Sequence, residues 1–161
     1  MTEIDLAEII PRILSAAVCG GVLGWERETQ NKPAGLRTNM LVAIGAATAT
    51  LAALDLFAEI TSNGERSMPA DPIRIVSGVI GGLGFLGAGA IIQSRGHVQG
   101  MTTAAAIWVV GGIGVACGIG NYKLAFTAVI VTFLVLFALG KLEGSELAPE
   151  SLQKEDDETE A

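Results

Sequence analysis

The sequence has 161 residues, of which 50% are hydrophobic and 17% are charged, against about 25% charged in a typical soluble domain. This composition excludes an ordinary soluble enzyme and predicts one all-α domain over residues 1–139, a polytopic membrane bundle of about five glycine-rich helices. Most of the net charge of −7 lies in the tail, because residues 140–161 contain two lysines and eight acidic residues and so carry a charge of −6. This composition predicts that the tail is disordered and that it repels nucleic acid.

Five hydrophobic segments of about 17–22 residues follow one another, each long enough to cross an apolar layer of about 30 Å. The predicted membrane spans are approximately 6–23, 38–58, 72–93, 101–119 and 123–139. Short connections predict that consecutive helices are antiparallel neighbours. Basic residues are densest in the first connection, so we expect a multi-pass protein of the inner or plasma membrane with its N-terminus outside and its C-terminus in the cytoplasm.

The first polar cluster lies where the first and second segments meet. Glu26 and Arg27 end the first segment, and Arg37 and Asn39 begin the second. Because antiparallel helices bring these ends together, a Glu26–Arg37 ion pair is one interpretation of this cluster. If the pair forms, we expect Arg37→Ala to reduce expression and activity more than Lys32→Ala in the loop. The other interpretation, which the residues alone favour, is a collar of solvated charges at the membrane interface.

The second cluster opens the third segment. Asp71 precedes Pro72, and this order is typical of a helix start, in which the carboxylate caps the free N–H groups. Arg74 lies one turn into a hydrophobic helix, where a charge is costly. We expect its side chain to extend toward water, or to pair with Asp71 or with Asp55 at the end of the second segment.

Most of the 21 glycines lie in the hydrophobic segments. Pairs four residues apart, such as Gly20 with Gly24, predict close approach of neighbouring helices. Residues 82–87 match G-x-G-x-x-G, but nucleotide binding needs a strand–helix unit, so we favour packing of the third helix over an unwound segment that lines a polar path. The glycines expected to pack closely are Gly35, Gly78, Gly82, Gly84, Gly87, Gly89, Gly114 and Gly118.

The fourth segment begins with Thr102 and Thr103, shortly after Arg95 and His97. Threonines there can cap the helix or form hydrogen bonds to another helix. A single histidine and the absence of metal-ligand spacing predict no enzyme activity and no cofactor, although Asp71 or Glu26 could serve a magnesium ion. We interpret the two cysteines, Cys19 and Cys117, as small buried hydrophobic residues.

Several of these motifs, in this order, together resemble the MgtC/SapB family over roughly residues 10–138: 24–28, 32–39, 71–78, 84–89 and 102–105. The resemblance implies an inner-membrane protein linked to magnesium homeostasis. Some members are regarded as modulators of other membrane machines, including the ATP synthase. By the same resemblance, family-typical positions are Glu26, Arg27, Gly35, Arg37, Arg74 and Thr102. Better-known members carry a soluble domain where this sequence has an acidic tail.

We therefore expect a membrane protein that affects magnesium or ion homeostasis by binding another membrane protein, or that forms a homo-oligomer in the lipid bilayer. The alternative is a transporter or channel for a small ion or solute. In that interpretation Arg37, Asp55, Asp71, Arg74 and the glycine-rich third helix would line a polar path.

Overall fold

The structure, a computed structural model, describes residues 4–62, 72–94 and 97–143, and it confirms an all-α bundle with five helices. The helices are α1 (Leu6–Thr29), α2 (Leu36–Ser62), α3 (Pro72–Ala90), α4 (Met101–Ile119) and α5 (Tyr122–Glu143). The first four are long and apolar enough to cross a membrane, and α5 has a shorter apolar stretch at Tyr122–Ala138. A short antiparallel hairpin of β1 (Ile92–Ser94) and β2 (His97–Gln99) joins α3 to α4.

The helix boundaries depart from the predicted spans where polar residues continue a helix. α1 runs to Thr29 and α5 to Glu143, beyond the apolar runs that predicted their ends. The predicted domain boundary at residue 139 therefore falls inside α5, and residues 144–161 of the predicted disordered tail lie outside the described residues. α3 ends at Ala90 and not near residue 93, because the chain leaves the helix for the hairpin.

The core lies where α2 packs between α1 and α4. A methyl group added to Gly20 would lie 2.5 Å from the carbonyl oxygen of Asn39, and one added to Gly114 would lie 2.4 Å from that of Ala43. Only glycine permits backbones to approach this closely, so small residues set the spacing of these three helices. The core also holds both cysteines, which are buried and free: Cys19 and Cys117.

The structure does not show the close packing that was predicted for most glycines of α3. The positions at which a methyl group would meet no atom within 4 Å of the described protein include Gly78, Gly82, Gly84 and Gly89. α3 packs on α4 instead through Leu83, whose side chain fills the notch over Gly111, and through Gly87 beside Ala104. The other predicted glycines of α3 are exposed, and Gly82 among them borders the groove between α2 and α3.

Candidate functional site

Four helix ends meet at one end of the bundle, which we call the polar end. Gly24 in α1 packs on Leu36 at the start of α2, and Arg27 reaches Thr103 in the first turn of α4. Gly140 near the end of α5 lies beside Gln30, which follows α1. The last turns of α1 and α5 therefore share the polar end with the first turns of α2 and α4.

Among the cations that the structure describes at the polar end, Arg27 is the most deeply buried. Its side chain is only 5% exposed, and its Nη2 donates a 2.8 Å hydrogen bond to Oγ1 of Thr103, which is 3% exposed. Its Nε is buried and has no acceptor among the described residues. A buried guanidinium without a full set of acceptors is costly, so this group points to a further interaction.

Glu26 is also buried, at 5% exposure, but it does not pair with Arg37. Its Oε1 accepts a hydrogen bond from Nε2 of Gln30, whereas its Oε2 is buried without a donor among the described residues. Arg37 is exposed, and the one ion pair found in the described residues joins Arg12 to Glu8. The interpretation as a Glu26–Arg37 pair is therefore wrong, and the greater damage expected from Arg37→Ala loses its basis.

Asn39 fixes the loop between α1 and α2. It is 1% exposed, and its Nδ2 donates to the carbonyl oxygens of Ala34 and Gly35, the latter at 2.9 Å. Ala34 has a φ of 56°, a left-handed conformation that a non-glycine residue adopts at some cost. Glu28 completes the turn because its Oε2 accepts the backbone N–H of Leu36 at 2.7 Å.

The structure places four of the predicted polar residues in buried positions at the polar end. We use the term polar layer for Glu26, Arg27, Asn39 and Thr103, the buried members at the polar end. Thr102 and Arg37 are exposed at the same end, and Arg74 is exposed in the first turn of α3 at the opposite end. Asp71 lies outside the described residues.

The opposite end of the bundle carries a second arginine contact that the sequence analysis missed. Nη1 of Arg12 donates to the carbonyl oxygen of Gly118 at 3.2 Å, and Nη2 pairs with Glu8 at 2.6 Å. The guanidinium thus contacts the last turn of α4, where unpaired carbonyl groups give a helix partial negative charge. Asp55 at this end accepts a 3.3 Å hydrogen bond from the backbone N–H of Ile4.

Neither a metal centre nor a polar path emerges from the described part of the chain. No three histidine, cysteine, aspartate or glutamate side chains cluster there. The groove between α2 and α3 is apolar, and its lining includes Leu41, Val42, Val79, Gly82 and Leu86. The polar layer offers one carboxylate, one guanidinium, one amide and one hydroxyl.

Comparison with known proteins gives consistent matches. The model of the MgtC family matches residues 13–145. The chain is 40% identical over 130 residues to the putative magnesium transporter YhiD of Escherichia coli strain K12, covering 81% of this chain and 60% of that protein. It is 40% identical over 122 residues to protein MgtC of Salmonella typhimurium strain LT2, covering 76% of this chain and 48% of that protein.

An uncharacterized protein of Haemophilus influenzae is 38% identical over 135 residues, covering 81% of this chain and 54% of that protein. The chain thus spans roughly half to three fifths of the length of the curated relatives that it matches. No solved structure matches the chain.

Proposed function

The chain belongs to the MgtC family, and we propose that it is a non-enzymatic inner-membrane protein that supports magnesium or ion homeostasis by binding another membrane protein. In this proposal the first loop and the C-terminus face the cytoplasm, and the N-terminus lies outside. The single observation that carries the proposal is the exposed glycine surface of α3, which borders the groove between α2 and α3.

Three glycine pairs four residues apart occur in the helices, and two of them are used inside the chain. Gly20 and Gly24 pack on α2, and so do Gly114 and Gly118 of α4. At the third pair, Gly78 and Gly82, an added methyl group would meet no atom within 4 Å in the described protein. In lipid, helix association depends on close packing and not on water exclusion, so this surface suits a transmembrane helix of a partner.

The competing function is transport of a small ion or solute, and the name of the YhiD relative states a putative magnesium transporter. For this chain the geometry favours binding. Arg37 and Arg74, which were expected to line a polar path, are exposed at opposite ends of the bundle. The core between them is formed mainly by apolar side chains without oxygen ligands for magnesium, and the buried hydroxyl of Thr50 donates to the carbonyl oxygen of Ala46.

Gly82→Leu tests the proposal because a Cβ atom added at this position has no atom within 4 Å in the described protein, so the larger side chain extends into open space beside the groove between α2 and α3. Ala52→Leu, on an exposed face of α2, is the matched control. We expect wild type and Ala52→Leu to recover one stoichiometric membrane partner after cross-linking in membranes. The amount of partner recovered with Gly82→Leu should be lower by at least about tenfold. Growth at low magnesium should fall in parallel.

Three results would contradict the proposal. They are equal partner recovery by both variants, a strictly monomeric protein without a partner, or a homo-oligomer that Gly82→Leu disrupts without any effect on a second protein. Purified protein in liposomes provides the test of the competing function. A saturable magnesium flux that Gly82→Leu leaves intact would favour transport over partner binding.

A further inference from the structure

The two ends of α4 are each contacted by an arginine, although the helix dipole favours a cation at only one of them. At the C-terminal end, Arg12 donates to the carbonyl oxygen of Gly118, so the positive guanidinium lies against the partial negative charge of the helix end. At the N-terminal end, Arg27 donates to Thr103, so a guanidinium lies where the helix is already partly positive. Two positive groups therefore meet at that end of α4, and the buried Glu26 beside Arg27 attracts the guanidinium electrostatically and offsets part of this charge.

The neighbouring helix start shows how the chain balances such a site elsewhere. At the start of α2, the carboxylate of Glu28 accepts the N–H of Leu36 at 2.7 Å. α4 has Gly100 at its N-cap, without a side-chain cap, and it has no acidic residue in its first turn. The sequence contains no aspartate or glutamate between Asp71 and Glu143.

Several donors at the start of α4 lack acceptors within the described residues. The first N–H groups of a helix have no partner inside it, and of these the N–H of Ala104 is bonded to Gly100. The N–H groups of Met101, Thr102 and Thr103 have no acceptor in the described structure. Nε of Arg27 is likewise buried without an acceptor, and its 5% exposure makes the unmet donor costly.

We propose that the start of α4, together with Arg27, binds a phosphate group. Backbone N–H groups at a helix start and an arginine fork are the donors that proteins use for oxyanions. Here these donors come from α4 and from Arg27 of α1, and the exposed Thr102 can add a hydroxyl group. Donors in several directions suit a tetrahedral oxyanion with three or more acceptor oxygens better than a planar carboxylate.

The phosphate group can come from a lipid headgroup or from the soluble pool. Trp25, two residues before Arg27 and 64% exposed, has the character of an aromatic at the membrane interface, where lipid phosphates lie. The exposed Thr102 leaves the same place open to a soluble anion. This site is distinct from the α3 surface, so its test does not depend on a protein partner.

The experiment measures ligand-dependent melting of the full chain in an uncharged detergent. One arm titrates sodium phosphate against sodium chloride of equal ionic strength, and the other titrates dihexanoyl phosphatidylglycerol against dihexanoylglycerol. We expect saturable stabilisation in at least one arm. Saturation by sodium phosphate identifies a soluble anion, and saturation by the phospholipid alone identifies a headgroup. The absence of saturation in both arms would overturn the proposal.

Two variants assign the binding to Arg27. Arg27→Gln should weaken the affinity at least about tenfold, because it removes a charged hydrogen-bond donor. Lys32→Gln removes the same charge from an exposed loop position and should change the affinity by less than about twofold. Equal weakening by both variants would show a diffuse charge effect and overturn the site.

A third variant keeps the proposal testable should Arg27→Gln prevent folding. Glu26→Gln has nearly the same shape and retains the oxygen that accepts from Gln30. It removes a buried negative charge from the residue next to Arg27, so the affinity for phosphate should rise about threefold or more. An unchanged or lower affinity in Glu26→Gln, with a normally folded protein, would count against an anion at this place.

Discussion

Asn39 connects the sequence of the first loop to the packing of the bundle. Its Nδ2 holds the carbonyl groups of Ala34 and Gly35, and its own backbone carbonyl contacts the position where Gly20 lacks a side chain. One buried amide thus fixes both the loop and the distance between α1 and α2. The residue acts as a structural member of the polar layer.

We predict that Asn39→Ala lowers the free energy of unfolding by about 1–3 kcal/mol, because the carbonyl group of Ala34 loses its donor and that of Gly35 keeps only the backbone N–H of residue 39. Thr38→Ala, one residue earlier and exposed, should change it by less than about 0.5 kcal/mol. Unfolding in mixed micelles, followed by circular dichroism, measures both. Equal stability of Asn39→Ala and the wild type would show that water replaces the amide at no cost.

The difference between Arg27 and Arg37 shows how far the polar layer was predictable. Arg27 follows Gly24 by three residues, so the helical period places it on the face of α1 that packs, and this spacing could have predicted its burial. Its partner Thr103 is 76 residues away, and no local pattern identifies it. Opposite charge suggested a pair between Glu26 and Arg37, but Gln30, one helical turn away, takes the hydrogen bond.

At the scale of the helices, α4 uses its glycines on different faces. Gly114 and Gly118 receive the backbone of α2, and Gly111 receives the tip of Leu83 from α3. A methyl group added to Gly112 would have no other atom within 4 Å in the described protein. Adjacent glycines in one helix therefore differ in what they contribute to packing.

We predict that Gly114→Ala destabilises the protein by about 1–3 kcal/mol, because the methyl group would lie 2.4 Å from the backbone oxygen of Ala43. Gly112→Ala should be neutral or stabilise by up to about 1 kcal/mol, since alanine favours a helix over glycine. The difference in melting temperature between the two variants measures the effect. Similar melting temperatures would mean that α2 and α4 separate readily.

The helices themselves were largely predictable, and the exceptions have physical reasons. The limits of α4 were predicted correctly because a glycine flanks the segment on each side. In the structure Gly100 and Gly120 adopt left-handed conformations, with φ of 86° and 85°. The hairpin was missed because its strands of three residues are too short for an alternating pattern. Glycine spacing shows that Gly78 and Gly82 share a face of α3, but spacing cannot show what packs against that face.

At the scale of the whole molecule, α1, α2 and α4 form a tight core of small residues, and α3 and α5 pack around it. The buried charges are concentrated at the polar end, where the first loop also carries Lys32 and Arg37. The α3 surface and the polar layer therefore offer separate places for a membrane helix and for an anion. Which side of the membrane the polar end faces decides which pool of anions can reach it.

The distribution of basic residues favours the cytoplasm for the polar end, and cysteine labelling tests this orientation. Both native cysteines are buried, Cys19 at 2% and Cys117 at 0% exposure, so the background should be low. Pro33→Cys places an exposed thiol at the polar end, and Lys123→Cys places one at the opposite end. With a membrane-impermeant maleimide on spheroplasts, we expect prompt labelling of Lys123→Cys and labelling of Pro33→Cys only after permeabilisation. The reverse pattern would place the polar end outside, and labelling of both variants in sealed spheroplasts would show insertion in two orientations.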